Sequence, residues 1–201
     1  MALKAADSAP ARLRSAITDQ EERELLVRIA EKREQAAFRE LYGIYYQRLT
    51  RLLSRMSMRR EDVEEVVNDT FWVVWTKARD FRGASQLSTW IIGIAYRRAL
   101  NTLRRERLRP VGTEPIGEDI AAVASSAQGE ERSQWIKHGL DKLPLEQRMA
   151  LELAYTLGHS CEEIATILDC PVNTVKTRLF RARETLKQIL PALAGGEGDY
   201  S

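Results

Sequence analysis

The residues of this chain that are best suited to chemistry are amides, hydroxyls and cations spaced along one segment near the C-terminus. From Val172 to Leu186, apolar residues recur at every third or fourth position, which predicts a helix with one buried stripe. Arg and Lys bind guanine edges or phosphates, Asn reads adenine, and Thr hydroxyls bind the DNA backbone. The remaining face therefore suits a DNA major groove and comprises Asn173, Thr174, Lys176, Thr177, Arg178 and Arg181.

The segment before this helix supplies the rest of a helix-turn-helix. Ser160 and Glu163 have the spacing of a capping box, in which each side chain satisfies a free backbone N–H at a helix start. Small Ala165 stands where a second helix has to cross closely, and Asp169 stands at the turn, where it tolerates a left-handed backbone. The basic helix alone also fits a merely solvated face. The order of capping box, small residue, turn and basic helix favours DNA binding.

A second candidate site lies on an acidic helix in the N-terminal half. In EDVEEVVNDTFWVVWTKARDF, apolar residues at helical spacing predict an inner face. The opposite face places a large aromatic in a strip of acid, which is typical of a binding hot spot for a basic protein surface. The alternative is that Trp72 folds under a neighbouring helix. The strip comprises Asp62, Glu65, Asp69, Trp72 and Thr76.

A third candidate site combines arginines and aromatics after a loop around Gly83. The pattern predicts a long helix capped near Ser88, with a core stripe running from Ile92 to Leu103. Cations that hold phosphates and rings that stack on bases suit unstacked single-stranded DNA. The alternative is that Trp90 is core and the arginines only solubilise the helix. The outward face comprises Trp90, Arg97, Asn101 and Arg104, with Tyr96 on its flank.

Composition excludes several classes of protein. The chain has 201 residues, 44% hydrophobic and 30% charged, with a net charge of +2, which fits one or two small domains. It has neither the ~20-residue apolar run of a membrane helix nor a signal peptide, so we expect it in the cytoplasm without membrane insertion. Cys161 and Cys170 are its only cysteines, too few for a disulfide framework or a zinc site. We expect no enzyme, metal or cofactor, because no phosphate loop, catalytic carboxylate pair or nucleophile elbow is present.

These sites need helices to position them, and the sequence predicts an all-α protein with two helical domains. Gly and Pro are sparse in residues 21–108, and helical signals return in 133–190. Between them, 109–132 is rich in Pro, Gly, Ser and acid, which predicts a flexible linker. Residues 1–20 are an N-terminal extension, and 191–201 are expected to be a disordered tail.

Taken together, these segments resemble the extracytoplasmic-function (ECF) sigma factors of the bacterial sigma-70 family. The resemblance covers residues 21–190. It lies in AFRELYGIYYQRLTRLL, the acidic segment, FRGASQLSTWIIGIAYRRALNTLRR and LPLEQRMALELAYTLGHSCEEIATILDCPVNTVKTRLFRARETL. Asn68, Arg97 and Asn101 stand where family members often carry Gln, Asn and Asp. The family pattern makes residues 21–108 region 2 and 133–190 region 4.

The resemblance implies partners and a role for each site. Region 2 would bind the β′ clamp helices of core RNA polymerase and recognise and melt the −10 element. Region 4 would lay the helix from Val172 in the major groove of the −35 element and touch the β flap, and a cognate anti-sigma factor would hold both domains. Polymerase binding would fall to Asp62, Glu65, Asn68, Asp69 and Trp72. The −10 element would be met by Arg82, Ser85, Ser88, Trp90, Tyr96, Arg97, Asn101, Arg104 and Arg105.

Two other interpretations stay open on the sequence alone. One is a helix-turn-helix transcription regulator that binds duplex DNA without acting as a polymerase subunit. A regulator of this kind would not bind core polymerase. It would also need a sensor domain, and the N-terminal half shows no pattern typical of a sensor pocket. The other is a sigma-like decoy without promoter activity.

Overall fold

The computed structural model describes residues 18–107 and 138–194, with the side chains of 190–194 left out. Within these ranges every regular element is helical, and the prediction of an all-α chain with two helical domains is confirmed. The predicted linker at 109–132, nearly all of the N-terminal extension and the end of the tail lie outside the described residues.

The N-terminal domain contains four long helices. These are α1 (Asp19–Lys32), α2 (Gln35–Ser54), α3 (Arg60–Lys77) and α4 (Leu87–Arg107), with a 3-10 turn at Ala78–Asp80 between the last two. The first helix begins inside the stretch predicted as an extension, because the Thr18 hydroxyl and Glu21 form a capping box that starts it.

The C-terminal domain contains three further helices after a helical turn at 138–141. These are α5 (Leu145–Leu151), continued by a π-helical turn at Glu152–Thr156, then α6 (Cys161–Leu168) and α7 (Val172–Ala194). The predicted tail boundary at 191 is wrong, because α7 continues to Ala194.

The core of the N-terminal domain lies where α2, α3 and α4 meet. Leu41, Leu49, Phe71 and Ile92 are almost entirely buried there. Full burial of such side chains contributes roughly 1.5–3 kcal/mol each.

The two domains pack against each other through α4 and α6. Polar contacts accompany this packing: the Thr89 hydroxyl donates to Glu163 at 3.4 Å, and Arg148 lies 3.3 Å from the Ser57 hydroxyl. Consequently α4 is buried on two sides, and every residue from 91 to 96 is buried.

An ion pair across this interface allows the packing between the domains to be tested. Arg55, at the end of α2, lies 3.1 Å from Glu152, which is 5% exposed. Arg55→Glu should weaken domain packing by about 2 kcal/mol, since it leaves a buried carboxylate facing another. The measurement is hydroxyl-radical footprinting of Tyr96, a buried residue of α4, whose modification should rise.

The charge-swapped double variant, Arg55→Glu with Glu152→Arg, should return Tyr96 to its protected level. Arg51→Glu is the matched control, because Arg51 is exposed on the same helix. Unchanged protection in the single variant would show that this pair does not hold the domains together.

Candidate nucleic-acid interface

The helix-turn-helix predicted near the C-terminus is present. The Ser160 hydroxyl accepts from the Glu163 backbone N–H at 3.2 Å, and the Glu163 carboxylate accepts from the Ser160 N–H at 2.8 Å. Asp169 ends α6 in the left-handed region at φ 51°. The capping box and the turn are therefore both confirmed, and they set the start and the end of the first helix of the motif.

The second helix of the motif, α7, buries the stripe that the sequence predicted. Val175, Leu179 and Ala182 are all buried against the rest of the domain. Thr174, directly before Val175 in the helix, is half-buried. The fully exposed members of the predicted set are Asn173, Lys176, Thr177 and Arg181.

Arg178 differs from its neighbours on α7. Its side chain is 19% exposed, and its guanidinium lies 2.6 Å from the Glu146 carboxylate of α5 and 3.2 Å from the Cys170 sulfur. The sequence pattern placed Arg178 among the free cations, but here its guanidinium bonds within the protein. These two contacts of Arg178 hold α7 against α5 and against the turn of the motif.

Both cysteines are free and half-buried, and both pack against the hydrophobic core. Among residues 18–107 and 138–194, no three metal-ligating side chains come together.

Among the described residues, Glu163 is a carboxylate whose pKa lies well below its ordinary value. The neighbouring His159, whose Nδ1 lies 3.7 Å from the carboxylate, is the main cause, and with the Ser160 backbone N–H it lowers the pKa of Glu163 to about 2, against the opposing effect of burial. Because the same carboxylate caps α6 and accepts from Thr89 of α4, its charge supports the motif and the domain contact together.

The face of α4 divides into exposed cations and covered aromatics. Arg97, Asn101, Arg104 and Arg105 are exposed, as predicted. Trp90 is half-buried, with its ring 5.4 Å from that of Phe81.

Tyr96 was expected on the flank of the outward face, and that expectation is wrong for this arrangement. It is 4% exposed, and burial raises the pKa of its hydroxyl. The physical reason is that the C-terminal domain covers this side of α4.

A cleft of about 660 Å³ lies between α4 and the helix-turn-helix. Arg97, Asn101 and Arg104 line it from α4, while Cys170 and Arg178 line it from the motif. Residues predicted for two separate DNA elements are thus brought together around one cleft.

The loop before α4 is partly open. Arg82 is exposed, whereas Ser85 and Ser88 are half-buried. Helix α4 begins at Leu87, next to Ser88, near which the sequence predicted its start.

The acidic strip on α3 holds an exposed aromatic. Trp72 is 64% exposed, so the alternative in which it folds under a neighbouring helix is wrong. Glu65 and Asn68 are exposed beside it, and Asp69 is half-buried, 2.6 Å from the Arg98 guanidinium of α4.

Asp62 does not lie on the exposed strip. It is 7% exposed and sits 2.7 Å from Arg59, which also contacts Glu106 of α4 at 2.8 Å. Arg59 thereby joins the start of α3 to the end of α4 and covers Asp62. The sequence pattern could not show this, because Glu106 is far along the chain.

Phe180 is an exposed residue of α7 that the sequence interpretation passed over. It is 61% exposed, three residues beyond Thr177 and four beyond Lys176, on the same face. The signal that could have found it is that spacing, since Phe180 lies off the apolar stripe.

Comparison with known proteins matches both domains. The model for Sigma-70 region 2 matches residues 41–109, and the model for Sigma-70 region 4 matches 133–186. The ECF RNA polymerase sigma-E factor of Salmonella typhimurium strain LT2 is 34% identical over 182 residues, 85% of this chain and 93% of that protein. The sigma-E factor of Haemophilus influenzae is 30% identical over 88% of this chain and 97% of that protein.

The chain belongs to the ECF sigma factors. As a sigma factor, it binds RNA polymerase and directs initiation at specific promoters. No described helix has both the length and the apolar character needed to cross a membrane.

Two solved structures show the same fold. CnrH in complex with the cytosolic domain of CnrY matches with a TM-score of 0.62 and 26% identity, over 86% of this chain and 98% of that one. RpoE in complex with the anti-sigma factor NepR, from Bartonella quintana, matches with a TM-score of 0.61 and 25% identity, over 80% of this chain and 98% of that one.

The lowered pKa of Glu163 gives this sigma factor a predictable acid response. Since the pKa is about 2 in the folded chain against an ordinary 4.5, stabilisation by the carboxylate is present above 4.5 and is lost as the pH falls toward 2. Glu163→Gln should lower the free energy of unfolding at neutral pH by about 2–3 kcal/mol and flatten its dependence on acid pH.

The measurement is urea unfolding followed by circular dichroism at neutral pH and at about pH 3. Glu162→Gln is the control, because Glu162 is an exposed glutamate in the same first turn of α6. A Glu163→Gln variant that keeps the full acid dependence of the parent would contradict this assignment.

Proposed function

We propose that this ECF sigma factor divides its work between its two domains. Residues 21–108 bind core polymerase through α3 and the −10 element through α4 and the loop before it. Residues 133–190 bind the −35 element through α7. The observation that carries this proposal is that the exposed Trp72 and the exposed cations of α7 belong to separate domains and separate faces.

The polymerase contact centres on Trp72. A tryptophan that is 64% exposed beside Glu65 and Asn68 offers a large apolar surface within an acidic rim. Such a surface suits a basic partner, which the family resemblance identifies as the β′ clamp helices. Asp69 also contributes to this surface, although its ion pair with Arg98 partly neutralises its charge. Asp62 is buried and stabilises the start of α3 through its ion pair with Arg59.

The −10 contact lies on the exposed arginines of α4 and on the Asn101 amide. Arg97, Asn101, Arg104 and Arg105 hold the backbone of a melted strand, and the loop from Arg82 to Ser88 receives an unstacked base. Trp90 supports that loop from its half-buried position against Phe81.

The −35 contact lies at the start of α7. Asn173 and Thr177 face the base edges while Lys176 and Arg181 hold phosphates, and Arg178 fixes the helix on α5. The same domain touches the β flap.

Promoter recognition requires the domains to separate. Tyr96 is buried between them, and the candidate residues for both DNA elements share one cleft. Binding of α3 to core polymerase holds the chain while the domains engage DNA, so that two weak sites gain from effective concentration. Free in the cytoplasm, the chain binds promoter DNA poorly. It has no catalysis and no cofactor of its own, and it leaves after initiation.

A cognate anti-sigma factor completes the proposal. The related CnrH and RpoE were solved in complexes, RpoE with an anti-sigma factor. We expect such a partner to hold both domains of this chain and to mask the two surfaces that bind polymerase.

The experiment that tests the function is in vitro transcription with sigma-free core polymerase, the purified chain and a pool of upstream genomic fragments. We expect discrete new 5′ ends preceded by shared −35 and −10 elements. Core binding without transcripts would favour the decoy, and the absence of both would favour a helix-turn-helix regulator of duplex DNA.

Trp72→Ala should lower affinity for core polymerase by about thirtyfold, the loss expected for truncation of a ~2 kcal/mol hot spot. Fluorescence anisotropy of the labelled chain titrated with core polymerase measures it. Val27→Ala is the control, because Val27 is 51% exposed on α1, away from the strip. Equal affinities of the two variants for core polymerase would show that the polymerase contact lies elsewhere on the chain.

Lys176→Ala should lower transcription from promoters with an intact −35 element by about fivefold and leave affinity for core polymerase unchanged. It should also reduce the slope of log affinity against log salt by about one. Lys187→Ala is the matched control, since Lys187 is an exposed lysine farther along α7 that pairs with Glu184 at 2.7 Å. A parallel loss of polymerase affinity would refute the division of labour.

A further inference from the structure

The helix α4 begins without a capping side chain from its own loop. The residues before Leu87 are Gly83, Ala84, Ser85 and Gln86, and the Ser85 hydroxyl donates to the Gln86 carbonyl instead of accepting from the helix. A helix start leaves backbone N–H groups that need an acceptor. A side chain from another part of the chain can therefore cap this helix.

Asp19, the first residue of α1, supplies this cap. Its carboxylate accepts from the Leu87 backbone N–H at 3.1 Å, across a separation of 68 residues. A carboxylate at this position also suits the positive end of the helix dipole. The N-terminal helix thus caps the helix that carries the candidate −10 residues.

Arg23, one turn along α1, holds the middle of the loop. Its guanidinium pairs with Asp19 at 2.6 Å, donates to the Ser85 carbonyl at 2.8 Å and lies 5.4 Å from the centre of the Phe81 ring. A Cβ on Gly83, which has φ +73°, would meet the same guanidinium at 3.1 Å. Arg23 therefore contacts the loop at its beginning and its middle, while Asp19 contacts its end.

The backbone of this loop is held by α1, whereas several of its side chains are exposed. The loop backbone is bonded to α1 at Ser85 and at Leu87, whereas Arg82, Ala84 and Gln86 are exposed to solvent. A fixed backbone that presents free side chains is what recognition of an unstacked base needs, because ordering the loop on binding would cost affinity.

We propose that Asp19 and Arg23 are positioning residues for recognition of the −10 element. They hold the segment from Phe81 to Leu87 in its binding conformation without touching DNA themselves. The proposal rests on the proposed role of this loop at the −10 element.

The test compares transcription from one promoter, obtained by the 5′-end mapping described above, with transcription from versions carrying single substitutions in the −10 element. We expect Asp19→Ala and Arg23→Ala to lower discrimination between these templates by about fivefold, the effect of losing one helix cap. Affinity for core polymerase and dependence on the −35 element should stay at the level of the parent.

Conservative variants separate positioning from general stability. Asp19→Asn keeps an oxygen that accepts from Leu87 and should retain most of the discrimination. Arg23→Lys keeps the charge but lacks the planar guanidinium that reaches Ser85, so it should lose discrimination in a folded chain. Arg28→Ala is the matched control, because Arg28 is an α1 arginine that pairs with Glu34 at 2.9 Å instead of with the loop.

Unchanged discrimination in folded Asp19→Ala and Arg23→Ala, or in Arg23→Lys if the alanine variants do not fold, overturns the proposal. Arg82→Ala distinguishes this failure from a failure of the proposed −10 site. If Arg82→Ala alters discrimination while the α1 variants do not, the loop reads DNA without help from α1. If Arg82→Ala has no effect either, the loop is not the −10 site, and the positioning role falls with it.

Discussion

Helix α4 is buried on two opposite sides, by α2 and α3 of its own domain and by α6 of the C-terminal domain. All its residues from 91 to 96 are buried, which leaves the exposed positions from Arg97 onward free to meet a ligand. Most other features of the molecule follow from this constraint. The start of α4 is capped by α1, its middle carries the domain contact, and its last turns present arginines to solvent.

Charge is distributed around that buried helix so that few groups inside the chain are left uncompensated. Asp69 of α3 meets Arg98 of α4, and Arg59 links Asp62 to Glu106. These pairs use acids and bases that, from the sequence, look available to partners. Trp72 on one helix and Lys176 on another remain exposed to solvent.

The features that the sequence predicts best are those set by residues close together in the chain. The helix-turn-helix was predictable because its capping box spans only Ser160 to Glu163 and its left-handed turn falls on Asp169. The buried stripe of α7 followed from spacing alone. Tyr96, Asp62 and Arg178 were placed wrongly or incompletely, because what covers each of them comes from a different helix. The bond between Asp19 and Leu87 spans 68 residues, and no local pattern indicates it.

The packing between the domains opposes the domain separation that we propose for promoter recognition. Apolar burial around Tyr96 and the bonds through Thr89 and Arg55 favour the closed arrangement, in which the residues suited to two DNA elements share one cleft. A partner that binds the open arrangement better shifts the population toward it only by its difference in affinity for the two states. The exposed acidic strip of α3 lies outside the contact, so the proposed polymerase site is accessible while the domains are packed together. A difference in affinity of the partner for the two arrangements is then enough to convert a closed free chain into an open bound chain, and no additional switch is needed.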